Sequence, residues 1–160
     1  MEKYQMLLDE VGKIVGIDLK LEDKGICTLQ FDEIILNIHF IEEEDQCYFF
    51  SALFPIPGNE TIKAALFETL LEKNCFYRET MGGILGIDTG LDKVTYAAKF
   101  SVASMDGNAF VSRMETFINA TEHFVDTLGK SDHLTASPVG PNDPTKKEIH
   151  PDEFQNMIKI

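Results

Sequence analysis

The sequence of 160 residues carries 27 acidic and 14 basic side chains, which gives a formal net charge of −13. This acidity excludes sequence-independent binding to nucleic acid and disfavours binding to anionic membranes, because both kinds of binding need clustered Lys and Arg side chains. A chain of this length supports one domain, whose core needs no disulfide or metal. Its hydrophobic content of 44% is too high for a disordered acidic chain. We therefore expect a small folded protein whose partner is another protein or a small molecule.

Cysteine usage and the N-terminal pattern indicate a reducing cytoplasm. Cys27, Cys47 and Cys75 are odd in number and widely spaced, and no Cys/His pair has the spacing of a zinc site. Charged residues interrupt the first apolar pattern, unlike the core of a signal peptide, and no run approaches the roughly 20 apolar residues of a membrane span. The sequence predicts no metal, no other cofactor and no membrane insertion.

The first half of the chain predicts one helix followed by strands. Apolar residues recur at three- and four-residue steps over residues 2–15, which is typical of an amphipathic helix, and Gly16 suits its C-terminal cap. Short runs rich in Ile, Phe and Tyr follow, separated by turns, and they predict a three-stranded antiparallel meander. These extended runs are residues 19–21, 26–31, 33–40 and 46–54, with a turn at 22–25 and an acidic turn at 42–45.

The second half predicts a helix, a hairpin and a last helix. The prolines of residues 55–58 end the sheet, and Asn59 can cap a helix over residues 60–72. Residues 82–88 and 93–101 form a predicted hairpin, and a helical repeat then runs from near Asp106 to Leu128. The predicted fold is α+β, in the order helix, three antiparallel strands, helix, two strands, helix.

Residues 129–160 differ in composition from this domain of residues 1–128. Four of the six prolines fall among Ser, Thr, Asp and Lys after Gly129, which predicts a flexible Pro-rich tail. Within it, residues 152–160 carry Phe154, Met157 and Ile158 at the spacing of a short docking helix.

The triplet Asp88-Thr89-Gly90 resembles the catalytic loop of aspartic proteases, in which two aspartates share a proton. A homodimer could supply the second copy. Those enzymes are nearly all β, however, whereas this chain is predicted to be about half helical. Asp and Gly also satisfy the geometry of a hairpin turn, so we favour a turn role and keep a dimeric protease using Asp88 as an alternative.

No other motif predicts catalysis. His39 lies between apolar neighbours on a predicted strand, where a sheet histidine is the commoner role. The acidic turn 42–45 lacks the ligand spacing of a calcium loop, and Gly82-Gly83 lacks the following helix and Lys of a phosphate loop. We expect that the protein is not an enzyme.

The predicted strands carry more apolar residues than one buried face needs. Ile35 is apolar on the second strand although its neighbours Ile34 and Leu36 face the other side, and Phe49 and Phe50 point to opposite faces of the third. Either helices of the same chain cover both faces, or one face receives a partner. Extended peptides commonly bind such sheets by lying in apolar grooves or by adding a strand to a free edge.

The order of these pieces resembles the Tir chaperone (CesT) family of type III secretion chaperones, over about residues 4–128. The residues that carry the resemblance are Leu7-Leu8-Asp9-Glu10-Val11-Gly12, Gly16-Ile17, Leu19 with Leu21, Phe54-Pro55-Ile56-Pro57, Leu70-Leu71-Glu72-Lys73-Asn74, Gly86-Ile87-Asp88 and Val94-Thr95-Tyr96.

The resemblance implies a homodimeric chaperone in the bacterial cytoplasm that keeps the N-terminal segment of a secreted effector soluble for the secretion apparatus. It implies a dimer interface built around the second helix, whose wide apolar stripe is Ile62, Leu66, Phe67, Leu70 and Leu71. It also implies an extended effector segment over the first helix and first strands. Our predicted effector-binding patch is Leu8, Val11, Ile34, Leu36, Ile38, Phe49 and Phe50.

An adaptor module of the same shape with no link to secretion remains a third hypothesis. Under the chaperone hypothesis, the net charge of −13 acquires a role, because like charge keeps a protein with exposed apolar patches from self-associating. The acidic turn 42–45 lies between two strands of the predicted patch and would form part of its solvated rim.

Overall fold

The computed structural model describes residues 1–129, and the predicted tail and docking helix lie outside them. The predicted order of helices and strands is confirmed. The elements are α1 (Glu2–Val15), β1 (Ile26–Phe31), β2 (Ile34–Ile41), β3 (Gln46–Pro55), α2 (Glu60–Asn74), β4 (Ile84–Asp88), β5 (Lys93–Ser101) and α3 (Gly107–Phe124), with a final π-helical turn at Val125–Gly129.

Residues 19–21, predicted to be extended, do not join the sheet. The side chain of Gln5 on α1 takes up their backbone groups: its amide nitrogen donates to the Leu19 carbonyl at 2.9 Å, and its amide oxygen accepts from the Leu21 N–H at 2.8 Å. Only Glu22 forms a bridge, with Ile26. The three-stranded meander therefore consists of β1, β2 and β3.

The predicted caps at Gly16 and Asn59 are present, and Asp106 adds a third. Gly16 ends α1 in the left-handed conformation at φ 80°. The Asn59 side chain accepts hydrogen bonds from the backbone of Thr61 and Ile62 at the start of α2, and Asp106 accepts one at the start of α3.

All five strands form one antiparallel sheet in the order β1-β2-β3-β5-β4, so β1 and β4 are its edges. The register pairs Ile38 with Phe49 and Phe49 with Ala98, which places these three side chains on one face. A bulge at Ala52/Phe54 shifts the register near the end of β3.

Helices α1 and α3 cover that face through a cluster of aromatic rings. Tyr4 of α1 stacks on Phe40 with 4.7 Å between ring centroids. Phe49 contacts the edges of Phe110 and Phe117 of α3 at 5.4 and 5.5 Å. Because edge-to-face and offset stacked pairs are favourable arrangements, this cluster fixes both helices on the sheet.

The opposite face is partly polar and open to solvent over β1, β2 and β5. Thr28, Gln30, Ile35 and Lys99 are exposed there, while Phe50 is buried with Ile26 in a small second cluster. The sequence left open whether helices of the same chain cover both faces of the sheet. In the described residues they cover one face, and part of the other is exposed.

Candidate functional site

The predicted effector-binding residues lie mainly in the core. Leu8, Val11, Leu36, Ile38 and Phe49 are at most 1% exposed, because the first two face the sheet from α1 and the others face α1 and α3 from β2 and β3. Ile34 and Phe50 are buried as well. The prediction of an exposed patch made by these seven residues is therefore corrected: as they stand, they stabilise the fold.

The exposed apolar side chains of the N-terminal region lie on the other side of α1. We name Met6, Ile14 and Ile17 the α1 outer surface; Met6 is 63% exposed, and the other two are nearly half exposed. Met6 and Ile14 lie about 80° apart around the helix axis, since eight residues make about 2.2 turns. Ile14 lies beside Gly107 at the start of α3, and Ile17 follows the end of α1. Sequence reasoning missed this surface because the apolar residues of α1 were assigned to a single buried stripe. Their excess over one stripe was the available signal.

The β1 strand has an outer edge that no other strand covers within the described residues. The Ile26 carbonyl accepts from the Glu22 N–H at 2.7 Å on the side away from β2. Backbone groups of alternate residues in an antiparallel strand point to the same side, so those of Thr28 and Gln30 also point away from β2. Within residues 1–129, no strand pairs with β1 on this side. From Thr28 onward, β1 is an open edge.

A chain of contacts joins α1 to β1. Gln5 of α1 holds residues 19–21, and the thiol of Cys27 on β1 hydrogen bonds to the backbone of Lys20. Helix α1 and the open edge therefore lie at the same end of the sheet.

A second apolar surface follows α2. Of the predicted dimer-interface residues, Leu66 and Leu70 are buried, Ile62 and Phe67 are half-buried, and Leu71 is 73% exposed. The exposed apolar side chains from α2 to β4 are here named the α2–β4 surface: Leu71, Phe76, Tyr77, Met81 and Ile84. Several exposed apolar side chains in one segment favour an interaction site.

The acidic turn 42–45 makes hydrogen bonds and an ion pair with other parts of the fold. Asp45 accepts hydrogen bonds from the Lys3 ammonium at 2.7 Å and from the Tyr4 hydroxyl at 3.0 Å, and Glu44 pairs with Lys99 at 2.9 Å. The hydrogen bond from Lys3 lowers the pKa of Asp45 below its usual value. The turn thus fastens the start of α1 and β5 to the β2–β3 connection.

Asp88 has the turn role that its neighbours predict. Its carboxylate accepts from the backbone N–H groups of Gly90 at 2.7 Å and Leu91 at 3.1 Å, which closes the β4–β5 turn. The interpretation of the Asp-Thr-Gly triplet as a turn therefore fits the geometry.

The remaining candidate residues are also structural in character. His39 is buried on β2, where its ring hydrogen bonds to the backbone of Lys24. Burial raises the pKa of Cys27 to about 11 and that of Cys47 well above its ordinary value, so both remain protonated thiols. Among residues 1–129, no group of three potential metal ligands comes together, and no helix is long and apolar enough to cross a bilayer.

Solved structures share this fold at low sequence identity. The ExsC–ExsE complex contains a chain that is 19% identical, with a TM-score of 0.70 over 85% of this chain and 97% of that one. In the HopA1–SchA chaperone–effector complex the values are 14% and 0.60, over 77% of this chain and 93% of that one. The Yersinia pestis type III secretion chaperone SycH, in complex with a fragment of YscM2, gives 16% and 0.58, over 75% and 98%.

Sequence comparison gives the family. No curated protein matches the chain significantly. The model of the Tir chaperone protein (CesT) family matches residues 6–125, well over half of the sequence and all elements from within α1 to the end of α3. The chain belongs to the Tir chaperone (CesT) family.

Proposed function

We propose that this protein is a type III secretion chaperone that binds the N-terminal segment of a secreted effector and keeps it soluble and ready for export. Membership of the Tir chaperone family supports the class of activity. The structurally similar HopA1–SchA complex is a chaperone bound to its effector. The observation in this chain that carries the proposal is the open edge of β1, in a protein whose first helix also exposes apolar side chains.

The effector segment would bind as an extended strand on β1. Thr28 and Gln30 offer backbone donors and acceptors there, which an added strand would pair with. Beyond the edge, Met6, Ile14 and Ile17 offer exposed apolar side chains for a further contact with the effector. Burying this apolar area contributes about 25 cal/mol per Å² before the cost of ordering the segment is subtracted.

The chaperone would act as a homodimer through the α2–β4 surface. Leu71 and Phe76, at 73% and 80% exposed, are unfavourable in water and gain most from burial against a second copy. A dimer would present two β1 edges and two α1 outer surfaces to one effector segment.

The family is a chaperone family, and we propose that this member has no catalytic activity. We further propose that it works in the bacterial cytoplasm and delivers its effector to the secretion apparatus.

Co-purification from the native bacterium tests the effector-binding site. We expect the wild-type chain to retain the N-terminal region of a secreted protein. Ile14→Glu should reduce the recovered amount at least tenfold, because a carboxylate would be desolvated in an apolar contact. Asn119→Glu adds the same charge to an exposed position on α3 and should leave recovery unchanged. Full recovery by a folded Ile14→Glu variant would contradict the proposed site.

A further inference from the structure

The two edges of the sheet differ in how their backbone groups are used. On β4, the last residue of α2, Asn74, hydrogen bonds to both outward groups of Leu85: its amide nitrogen donates to the Leu85 carbonyl at 2.7 Å, and its amide oxygen accepts from the Leu85 N–H at 2.9 Å. One side chain thus occupies the donor and the acceptor that a neighbouring strand would use.

Without this contact, β4 has the features of a strand that pairs with other chains. Leu85 faces outward, so the backbone groups of Ile87, two residues later, point the same way. Ile84 and Ile87 lie on opposite faces of β4, and both are substantially exposed in the single chain; Ile87 lies outside the α2–β4 surface of the proposed dimer. Exposed apolar side chains on an unpaired strand favour edge-to-edge association.

The β1 edge is arranged differently. There, Glu22 occupies only the outward carbonyl of Ile26. The side chain of Gln30 donates to the Asp32 carbonyl of its own hairpin, rather than to an outward backbone group of β1. Among residues 1–129, the sheet thus has one edge that a side chain closes and one that is open from Thr28 onward.

We propose that Asn74 is a specificity-determining residue that closes β4 to strand addition, so that extended protein segments pair with β1 alone. The β1 part rests on the proposed function. The β4 part stands on the Asn74–Leu85 contact and predicts behaviour of the protein without an effector. A strand arriving at β4 must first displace two hydrogen bonds, whereas one arriving at β1 displaces none at Thr28.

The test uses Asn74→Ala, with assembly measured by light scattering across a concentration series. We expect association beyond the wild-type state to begin at about thirtyfold lower concentration, because two hydrogen bonds of ordinary net strength no longer compete with pairing. The Leu85 amide should exchange its hydrogen faster at low concentration. Asn119→Ala, an exposed asparagine on α3, is the matched control and should behave as wild type.

A second substitution separates edge closure from a merely structural role. The Ile87 N–H points away from β5, so Ile87→Pro removes an outward donor without breaking the β4–β5 ladder. We expect Asn74→Ala/Ile87→Pro to return to the wild-type assembly state. Destabilisation of the fold by Asn74→Ala would not be repaired in this way.

Asn74→Asp provides an independent variant, since it keeps the acceptor for the Leu85 N–H but sets a carboxylate against the Leu85 carbonyl. We expect it to associate more than wild type and less than Asn74→Ala. Unchanged assembly of either folded variant overturns the proposal. So does association that Ile87→Pro fails to suppress, and so does unfolding of both variants. None of these outcomes depends on effector binding, so failure of the proposed function would be seen separately.

Discussion

His39 illustrates at the residue scale how burial controls protonation. Its ring lies buried on β2, and desolvation lowers its pKa below the ordinary 6.5, while the hydrogen bond to the Lys24 backbone partly opposes that shift. The folded state therefore resists a proton that the unfolded chain accepts.

This difference predicts a loss of stability in mild acid. The contribution of His39 is fully present above pH 6.5 and declines as the pH falls from 6.5 towards the lowered pKa of the folded state, because only the unfolded state gains the proton in that window. We expect the melting temperature of His39→Gln to change less between pH 7 and pH 5 than that of the wild type, as measured by thermal denaturation. His123→Gln, at an exposed histidine of α3, is the control. Parallel curves for wild type and His39→Gln would contradict this account.

Individual side chains with local roles could be predicted from the sequence. Asn59, Asp88 and Asp106 hydrogen bond to backbone groups within a few residues, so their neighbours determine what they do. Gln5 could not be assigned in this way, because its partners at Leu19 and Leu21 meet it only in the folded chain.

At the scale of elements, α1 has two apolar sides with different roles. Leu8 is fully buried against the sheet, whereas Met6 is 63% exposed on the α1 outer surface. Stability should depend on the first side and effector binding on the second.

A pair of truncations separates the two sides of α1. Leu8→Ala should lower the free energy of unfolding by about 3 kcal/mol, the usual cost of a cavity at a buried leucine. Met6→Ala should change it by less than about 0.5 kcal/mol, because little packing is lost at an exposed site. Denaturant titration of both variants measures the two values. Equal losses of unfolding free energy would contradict the assignment of Leu8 to the buried side of α1 and Met6 to the exposed side.

The bounds of α1 and β5 follow from periodicity and turn residues, and the sequence predicted both to the residue. Which face of the sheet the helices cover could not be predicted from the sequence. Alternation along β2 separates Leu36 and Ile38 from Ile35, yet it does not say which set the helices will cover. The packing of α1 and α3 decides that, and it depends on aromatic contacts such as Tyr4–Phe40 between distant residues.

For the whole molecule, surface chemistry combines strong acidity with exposed apolar groups. The net charge of −13 opposes nonspecific association, while the α2–β4 surface favours one specific contact. Repulsion at long range together with apolar attraction at short range suits a dimer that does not grow further.

The proposed dimer predicts a defined change in mass. Leu71→Glu should convert the dimer to a monomer at micromolar concentration, because each copy would bury a carboxylate at the centre of an apolar contact. Light scattering measures the mass directly. Ile14→Glu carries the same change on α1 and should remain dimeric. A wild-type chain that is monomeric would contradict the proposed dimer, and a dimer that tolerates Leu71→Glu would place its interface elsewhere.

The backbone between α2 and β4 has a consequence for engineering. Phe76, Tyr77 and Met81 adopt φ values of 55°, 56° and 52°, a region that glycine occupies at much lower cost. Glycine at these positions would relax the backbone and raise thermal stability, but it would also delete three of the five side chains of the α2–β4 surface. If the α2–β4 surface is the proposed dimer interface, selection for heat resistance alone would therefore work against assembly.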